Sequence, residues 1–222
     1  INGKYVGFTQ GSHLMSEFDI TDYVIEGENT IRVFVYKWCA GSYLEDQDHF
    51  RYNGIFRDVY LLQRPVNHIS DIEIIPNGEA INIKIDGAAN ATILDGEKVI
   101  YNGLISNELV FTPENPILWN AENPYLYTVV FEQAGEYIPI KVGLREQSVS
   151  DKGELLINGV PVKLKGINHH DTHPTDGYVM TEEFQRQDLL KMKELNMNAI
   201  RTSHYPPQPV FLEMCDELGF YV

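Results

Sequence analysis

The sequence predicts a multidomain β plus α/β protein in which two stretches of short strands precede the opening of a (β/α)8 barrel. Three observations carry that prediction. Up to about residue 145, short runs rich in Val, Ile, Phe and Tyr alternate with Gly, Asn and Pro turn signals. From Glu146 onward, strand-like runs alternate instead with stretches of helical periodicity. The last of these, Asn198–Val222, reads strand, loop, helix, strand, which is a parallel crossover unit. The predicted domains are 1–64, 65–145 and 146–222, with Arg64-Pro65 at the first junction.

In the first stretch the strand candidates are Lys4–Thr9, Thr30–Trp38 and Ile55–Gln63, separated by turn signals at Gly27, Gly41 and Asn53-Gly54. Ile31, Val33 and Val35 alternate with Arg32, Phe34 and Tyr36, giving one apolar and one mixed face, as a packed sandwich requires. The second stretch offers Ile69–Ile75, Ile81–Ile85, Ala91–Leu94, Leu109–Thr112, Tyr125–Glu132 and Tyr137–Val142, with turns at Asn77-Gly78, Asp95-Gly96, Asn102-Gly103 and the proline-rich segment 113–124. Strands of that length and spacing predict an immunoglobulin-like sandwich. Nothing in it asks for chemistry, and Trp119 is expected to be buried, so it reads as a spacer.

In the third stretch Glu154–Ile157 and Val162–Ile167 flank Asn158-Gly159, a hairpin signal. Thr181 suits the N-cap of a helix running to Leu195, with Glu182 and Glu183 near its positive end and Leu189, Met192 and Leu195 as its apolar stripe. Pro209 fits the first turn of a second helix and Gly219 its C-terminal cap. Val210, Phe211, Met214, Cys215 and Leu218 share its buried face, which leaves Glu213, Asp216 and Glu217 to water. Ligands of such units bind at the carboxyl ends of the strands. Two histidine-bearing loops lie there: Asn168-His169-His170-Asp171-Thr172-His173-Pro174 and Arg201-Thr202-Ser203-His204-Tyr205.

Composition narrows the partners. With 43% hydrophobic and 11% aromatic residues, 222 residues suffice for real cores. Only 17 Lys and Arg face 32 Asp and Glu, a formal net charge of −15 that argues against nucleic acid and anionic membrane surfaces. No apolar run approaches the ~20 residues of a membrane span. Cys39 and Cys215 show no metal-ligand spacing and are expected as free buried thiols. Asn2-Gly3 is a hairpin turn without a preceding strand, and Val222 stops inside one, so both ends are expected to be cut. Compartment stays open, with the cytoplasm favoured.

Asn198-x-x-Arg201-Thr-Ser-His204-Tyr-Pro206, followed by Asp216-x-x-Gly219-Phe-Tyr-Val222, resembles the first signature of family 2 of the glycoside hydrolases. Lys165-Gly-Ile-Asn168 with His170 and His173-Pro174 is similar to the preceding strand end of that family's barrel. Upstream, Gly41-Ser-Tyr-Leu-Glu-Asp-Gln-Asp48 and Gly54-Ile-Phe-Arg-Asp58-Val resemble its β-galactosidases, and Asn115-Pro-x-Leu-Trp119, Asn123-Pro-x-Leu-Tyr127 and Gly143-Leu-Arg145-Glu its middle domain. The resemblance implies that 1–64 is the later part of a jelly-roll sugar-binding domain and that 146–222 opens a catalytic barrel. It implies a retaining β-galactosidase acting on terminal β-D-galactosides, whose catalytic glutamates and most magnesium and sodium ligands lie beyond residue 222. By itself the chain is then expected to be inactive and to bind no metal tightly, while the parent is expected to be a homo-oligomer.

By the same resemblance, His170 and His204 line the sugar subsite and hydrogen-bond hydroxyls more strongly in the transition state, and Asp48 binds a galactose hydroxyl and a sodium ion. Taken alone, Asp48 would be one acid of a solvated loop; the flanking matches favour the ligand role. Arg201 is placed either to hold a carboxylate by a bidentate contact or to form a structural ion pair. Trp38, Tyr43, Phe50, Tyr52 and Phe56 offer a sugar-stacking platform or simply core. Asp171 and Asp176 are the carboxylates at hand, and neither matches the family's catalytic pair. Two rivals remain. His169, His170, Asp171, His173 and His204 suit a metal-dependent barrel hydrolase, although Asn168 and Thr172 interrupt the usual His-x-His. A non-catalytic carbohydrate-binding module would keep its sugar binding without residues 146–222.

Overall fold

The computed structural model describes residues 1–44, 48 and 50–222. They form two compact units, one made of Tyr60–Ile167, Glu182–Ile200 and Pro209–Val222, the other of Ile1–Val59, Asn168–Thr181 and Arg201–Gln208.

The first of these is built on a five-stranded antiparallel sheet of β1 (Ile72–Asn77), β2 (Ala80–Asp95), β3 (Lys98–Phe111), β4 (Tyr127–Gln133) and β5 (Glu136–Val142). β2 is the axis: one edge pairs first with β1 and then with β4, and the other pairs with β3 along its length. Two expected strands, Ile81–Ile85 and Ala91–Leu94, are thus one. The β2–β3 ladder is interrupted between Lys84 and Ala88, where Gly87 takes φ +95°. Four steps along β2 there match two along β3, an even excess, so the inward set is not flipped to the other face. Ile81, Ile83, Ile85, Ala89, Ala91 and Ile93 therefore all enter one core with Ile105, Tyr127, Val129 and Phe131. By hydrogen bonding this is a single bulged sheet.

Gly78 and Gly96 open the two-residue turns expected near them. Asn102-Gly103 is no turn; it lies inside β3, with Asn102 opposite Thr92 and Gly103 opposite Ala91. The continuous partner strand β2 supplies the ladder there, and tertiary pairing overrides the local signal. Trp119 is buried as expected. Its indole N–H donates to the Asp216 carbonyl at 2.8 Å, and Tyr221 meets it edge-on.

β6 (Gln147–Val149), β7 (Leu155–Ile157) and β8 (Val160–Pro161) make a small antiparallel sheet. Asn158 and Gly159, with φ +53° and +75°, form the expected hairpin turn. The strand expected over Val162–Ile167 forms later, as β9 (Gly166–His169), paired with β10 (Ala199–Thr202). A side chain takes the ladder's place before it. Asn198 donates through Nδ2 to the Lys163 carbonyl (3.1 Å) and accepts the Lys165 N–H through Oδ1 (2.7 Å).

α1 (Glu182–Glu194) and α2 (Pro209–Leu218) start and stop where caps and prolines predict. Leu189, Met192, Ile200, Phe211, Met214, Cys215 and Phe220 form their shared core. Three expectations fail in detail. Leu195 is exposed, and Gln185 at i−4 from Leu189 is buried instead. Asp216 and Glu217 are not left to water: burial raises the Asp216 pKa, and Glu217 accepts from Lys141 at 2.6 Å and Arg186 at 2.9 Å. The strand expected after α2 is a single parallel bridge, Ala199 to Tyr221.

In the second unit the strand expectations fail more widely. Among the described residues no strand precedes Ile72; Lys4–Thr9, Thr30–Trp38 and Ile55–Gln63 are extended or irregular, with short 3-10 turns at Thr21–Tyr23 and Ala40–Tyr43. Every residue from Ile31 to Trp38 is exposed. Alternation supplies a face but not the neighbouring strand that would cover it. The Asn2-Gly3 turn does form, and the Asn2 side chain ties it to Tyr23, Asn29 and Thr30. Cys39 is half-buried with its sulfur 3.6 Å from Ser42 Oγ, so only Cys215 is as buried as expected.

Candidate functional site

The ends of β9 and β10 bring the two histidine loops together. The Ser203 N–H donates to the His169 carbonyl at 2.9 Å, which sets the strand ends side by side. One residue beyond each, His170 and His204 meet edge to face with ring centroids 5.7 Å apart, both half-buried. The Ser203–His204 peptide bond is cis. Half-burial leaves the imidazoles reachable while protein holds their other sides.

Beside the pair stands a polar lattice around Asp171, whose partner Arg57 sequence reasoning missed. Asp171 is buried; its backbone N–H donates to the Tyr205 hydroxyl at 2.9 Å, and Oδ2 lies 3.4 Å from Arg57 Nη2. Its Oδ1 lies 3.6 Å from His169 Nδ1. Burial lowers the Arg57 pKa, an effect that Asp171 opposes, and raises that of the Tyr205 phenol. Arg57 sits in the Gly54-Ile-Phe-Arg motif, the signal that could have marked it.

An aromatic cluster completes the unit. His13 stacks on Tyr205 at 4.1 Å and 22°, and Tyr178 contacts His13, Tyr52, Phe56 and Tyr205. The Tyr178 hydroxyl donates to the Phe50 carbonyl, and burial is the main cause that pushes its pKa up to about 12. Of the aromatic residues expected as a platform, Phe50, Tyr52 and Phe56 join this cluster, with Phe50 and Tyr52 largely exposed, as Trp38 and Tyr43 are. His13, Tyr178 and Tyr205 carried no such expectation.

The remaining candidates are less gathered. Arg201 is exposed and donates to Asn168 Oδ1 at 3.4 Å. Asp48 is exposed, and residues 45–47 of its motif lie outside the described residues. Asp176 lies 3.2 Å from His173 Nδ1. No three His, Cys, Asp or Glu side chains among the described residues converge to hold a metal. The histidine cluster of a metal-dependent hydrolase is therefore not assembled among them.

Family models match consecutive parts of the chain: residues 1–65 the sugar binding domain of glycosyl hydrolases family 2, 67–145 a further domain of that family, and 148–222 its TIM barrel domain. The chain belongs to glycoside hydrolase family 2. Over its full length this family 2 chain is 45% identical to a β-galactosidase of Staphylococcus xylosus and 43% identical to one of Actinobacillus pleuropneumoniae. It spans 23% of the length of each. Among solved structures it is similar to a Faecalibacterium prausnitzii β-glucuronidase, with TM-score 0.72 and 28% identity over 78% of this chain and 30% of that one. A Bacteroides uniformis β-glucuronidase matches with TM-score 0.71 and 26% identity, over 78% of this chain and 25% of that one.

Proposed function

We propose that this family 2 chain is part of a retaining β-galactosidase and that it builds one wall of the galactose subsite. The observation that carries the proposal is the His170–His204 pair, half-buried at two adjacent barrel strand ends. Imidazoles fixed there can bond sugar hydroxyls more tightly as the ring flattens toward an oxocarbenium-like transition state, which lowers the barrier. One observation favours a galactoside over a glucuronide: the chain is more similar to the β-galactosidases than to the β-glucuronidases.

Retaining hydrolysis needs two carboxyl groups about 5–5.5 Å apart, one as nucleophile and one as acid/base. Asp171 is held by Arg57 and Asp176 lies against His173, so neither is offered for that work. In the proposal the catalytic glutamates, and most ligands of a magnesium and a sodium ion, come from the rest of a longer, homo-oligomeric protein. Arg201 and Asp48 would contribute substrate contacts, with Asp48 also a sodium ligand. Residues 1–64 are read as the later part of a jelly-roll domain and 65–145 as an immunoglobulin-like spacer.

The experiment is hydrolysis of a chromogenic β-galactoside by the 222-residue chain, beside calorimetric binding of a non-hydrolysable thio-β-galactoside and of glucuronate. Binding of the galactoside without turnover is expected. His170→Ala and His204→Ala should each weaken binding about tenfold, the loss of roughly one hydrogen bond to a hydroxyl. Tighter binding of glucuronate, or turnover abolished by Asp171→Asn, would overturn the assignment.

A further inference from the structure

Arg57 touches neither imidazole, yet its guanidinium reaches the segments that carry both. Nη2 donates to the Pro206 carbonyl at 2.8 Å and to Asp171 Oδ2 at 3.4 Å, while Nη1 donates to the His13 carbonyl at 2.7 Å. Asp171 directly follows His170, and Pro206 lies two residues after His204. The loops are also joined to each other, because the Asp171 N–H donates to the hydroxyl of Tyr205, the residue after His204. The His13 ring stacks on that same Tyr205. The side chains of Arg57 and Asp171 are only 21% and 10% exposed, so water substitutes poorly for either.

We infer that Arg57 is a positioning residue that holds the His170 loop and the His204 loop at a fixed separation. A planar guanidinium presents donors in several set directions at once, which a lysine ammonium on a flexible stem cannot reproduce. Without it, the Asp171 carboxylate stays largely buried with only the His169 imidazole beside it, 3.6 Å away, and the His13 and Pro206 carbonyls lose a donor. The least costly response is for the Asp171 side chain to turn toward water, carrying the His170 loop away from His204. The inference concerns the imidazoles before any sugar binds, so it stands or falls separately from the proposed substrate.

The test is proton NMR of the assigned histidine rings in the 222-residue chain, as wild type, Arg57→Lys and Asp171→Asn, each with a thermal melt. His68, whose Nδ1 lies 2.8 Å from the Pro65 carbonyl, is the internal reference. Arg57→Lys is expected to shift the His170 and His204 signals together, to abolish the Overhauser contact between the two rings, and to leave His68 in place. Asp171→Asn should shift the same pair in the same sense by a smaller amount. A folded Arg57→Lys variant that keeps the ring-to-ring contact, or that shifts only His170, overturns the inference. Should Arg57→Lys lose its cooperative melt, Asp171→Asn decides: unchanged signals for both histidines overturn it, and a joint shift supports it.

Discussion

Ala80–Asp95 and Ile31–Trp38 carry the same kind of sequence and have different fates. In β2 the apolar alternates Ile81, Ile83, Ile85 and Ile93 are buried in the sheet core. In Ile31–Trp38 the alternates Ile31, Val33 and Val35 are all exposed. The apolar content is similar, but β2 has β1, β3 and β4 to pair with, and Ile31–Trp38 has no strand beside it among the described residues. Alternation decides which side chains share a face; partners from elsewhere in the chain decide whether that face is buried.

The contrast can be broken most forcefully at the centre of the sheet. Phe131, fully buried on β4, should cost about 3–5 kcal/mol when replaced by alanine, measured by urea unfolding. A cost below about 1 kcal/mol would mean the core is not packed as described.

Next in size is Gly166→Ala on β9. A methyl there would meet the Ala199 carbonyl oxygen at 2.2 Å, and backbone cannot rotate away as a side chain would. A loss of about 1–3 kcal/mol is expected from such overpacking, and a neutral result would show that β9 and β10 are not paired this closely.

Smaller still, and confined to acid, is the effect at Glu217. Hydrogen bonds from Lys141 and Arg186 hold its pKa below the ordinary 4.5. Its stabilisation is therefore complete above about pH 4.5 and is lost as pH falls through the lower folded value. Neighbouring Asp216 has its pKa raised by burial and acts in the opposite sense, so stability from that group falls as pH rises through its raised value. Melts of wild type and Glu217→Gln from pH 3 to pH 6, about the range in which carboxylates titrate, should show the wild type alone losing the Glu217 component on acidification. Parallel curves would remove Glu217 from the contacts that matter.

The smallest effect sharpens the comparison from its other side. Val33→Ala and Val35→Ala should change stability by less than about 0.5 kcal/mol, because both side chains are already in water. A loss of about 1 kcal/mol or more would mean that this segment is covered in solution, and the contrast with β2 would disappear.

By itself the sequence determined what depends on neighbours a few residues away. α1 starts after Thr181, and α2 starts at Pro209 and stops before Gly219, because caps and prolines act on the adjacent turn, and Asn158-Gly159 turns because its backbone favours positive φ. His170 and His204 were legible as a pair because each follows a strand in a crossover unit, whose geometry brings strand ends to one side. Only the tertiary structure decided the rest. Asn102-Gly103 became strand because β2 lay alongside it, the strand candidates before residue 64 went unpaired because no partner strand lay beside them among the described residues, and Lys163 and Lys165 bonded the Asn198 side chain rather than a ladder. Arg57 and Asp171, 114 residues apart, could be joined only in space. The physical reason is one of range: caps, turns and periodicity act within a few residues, whereas strand pairing and buried charge pairs draw on partners whose distance along the chain carries no local signal.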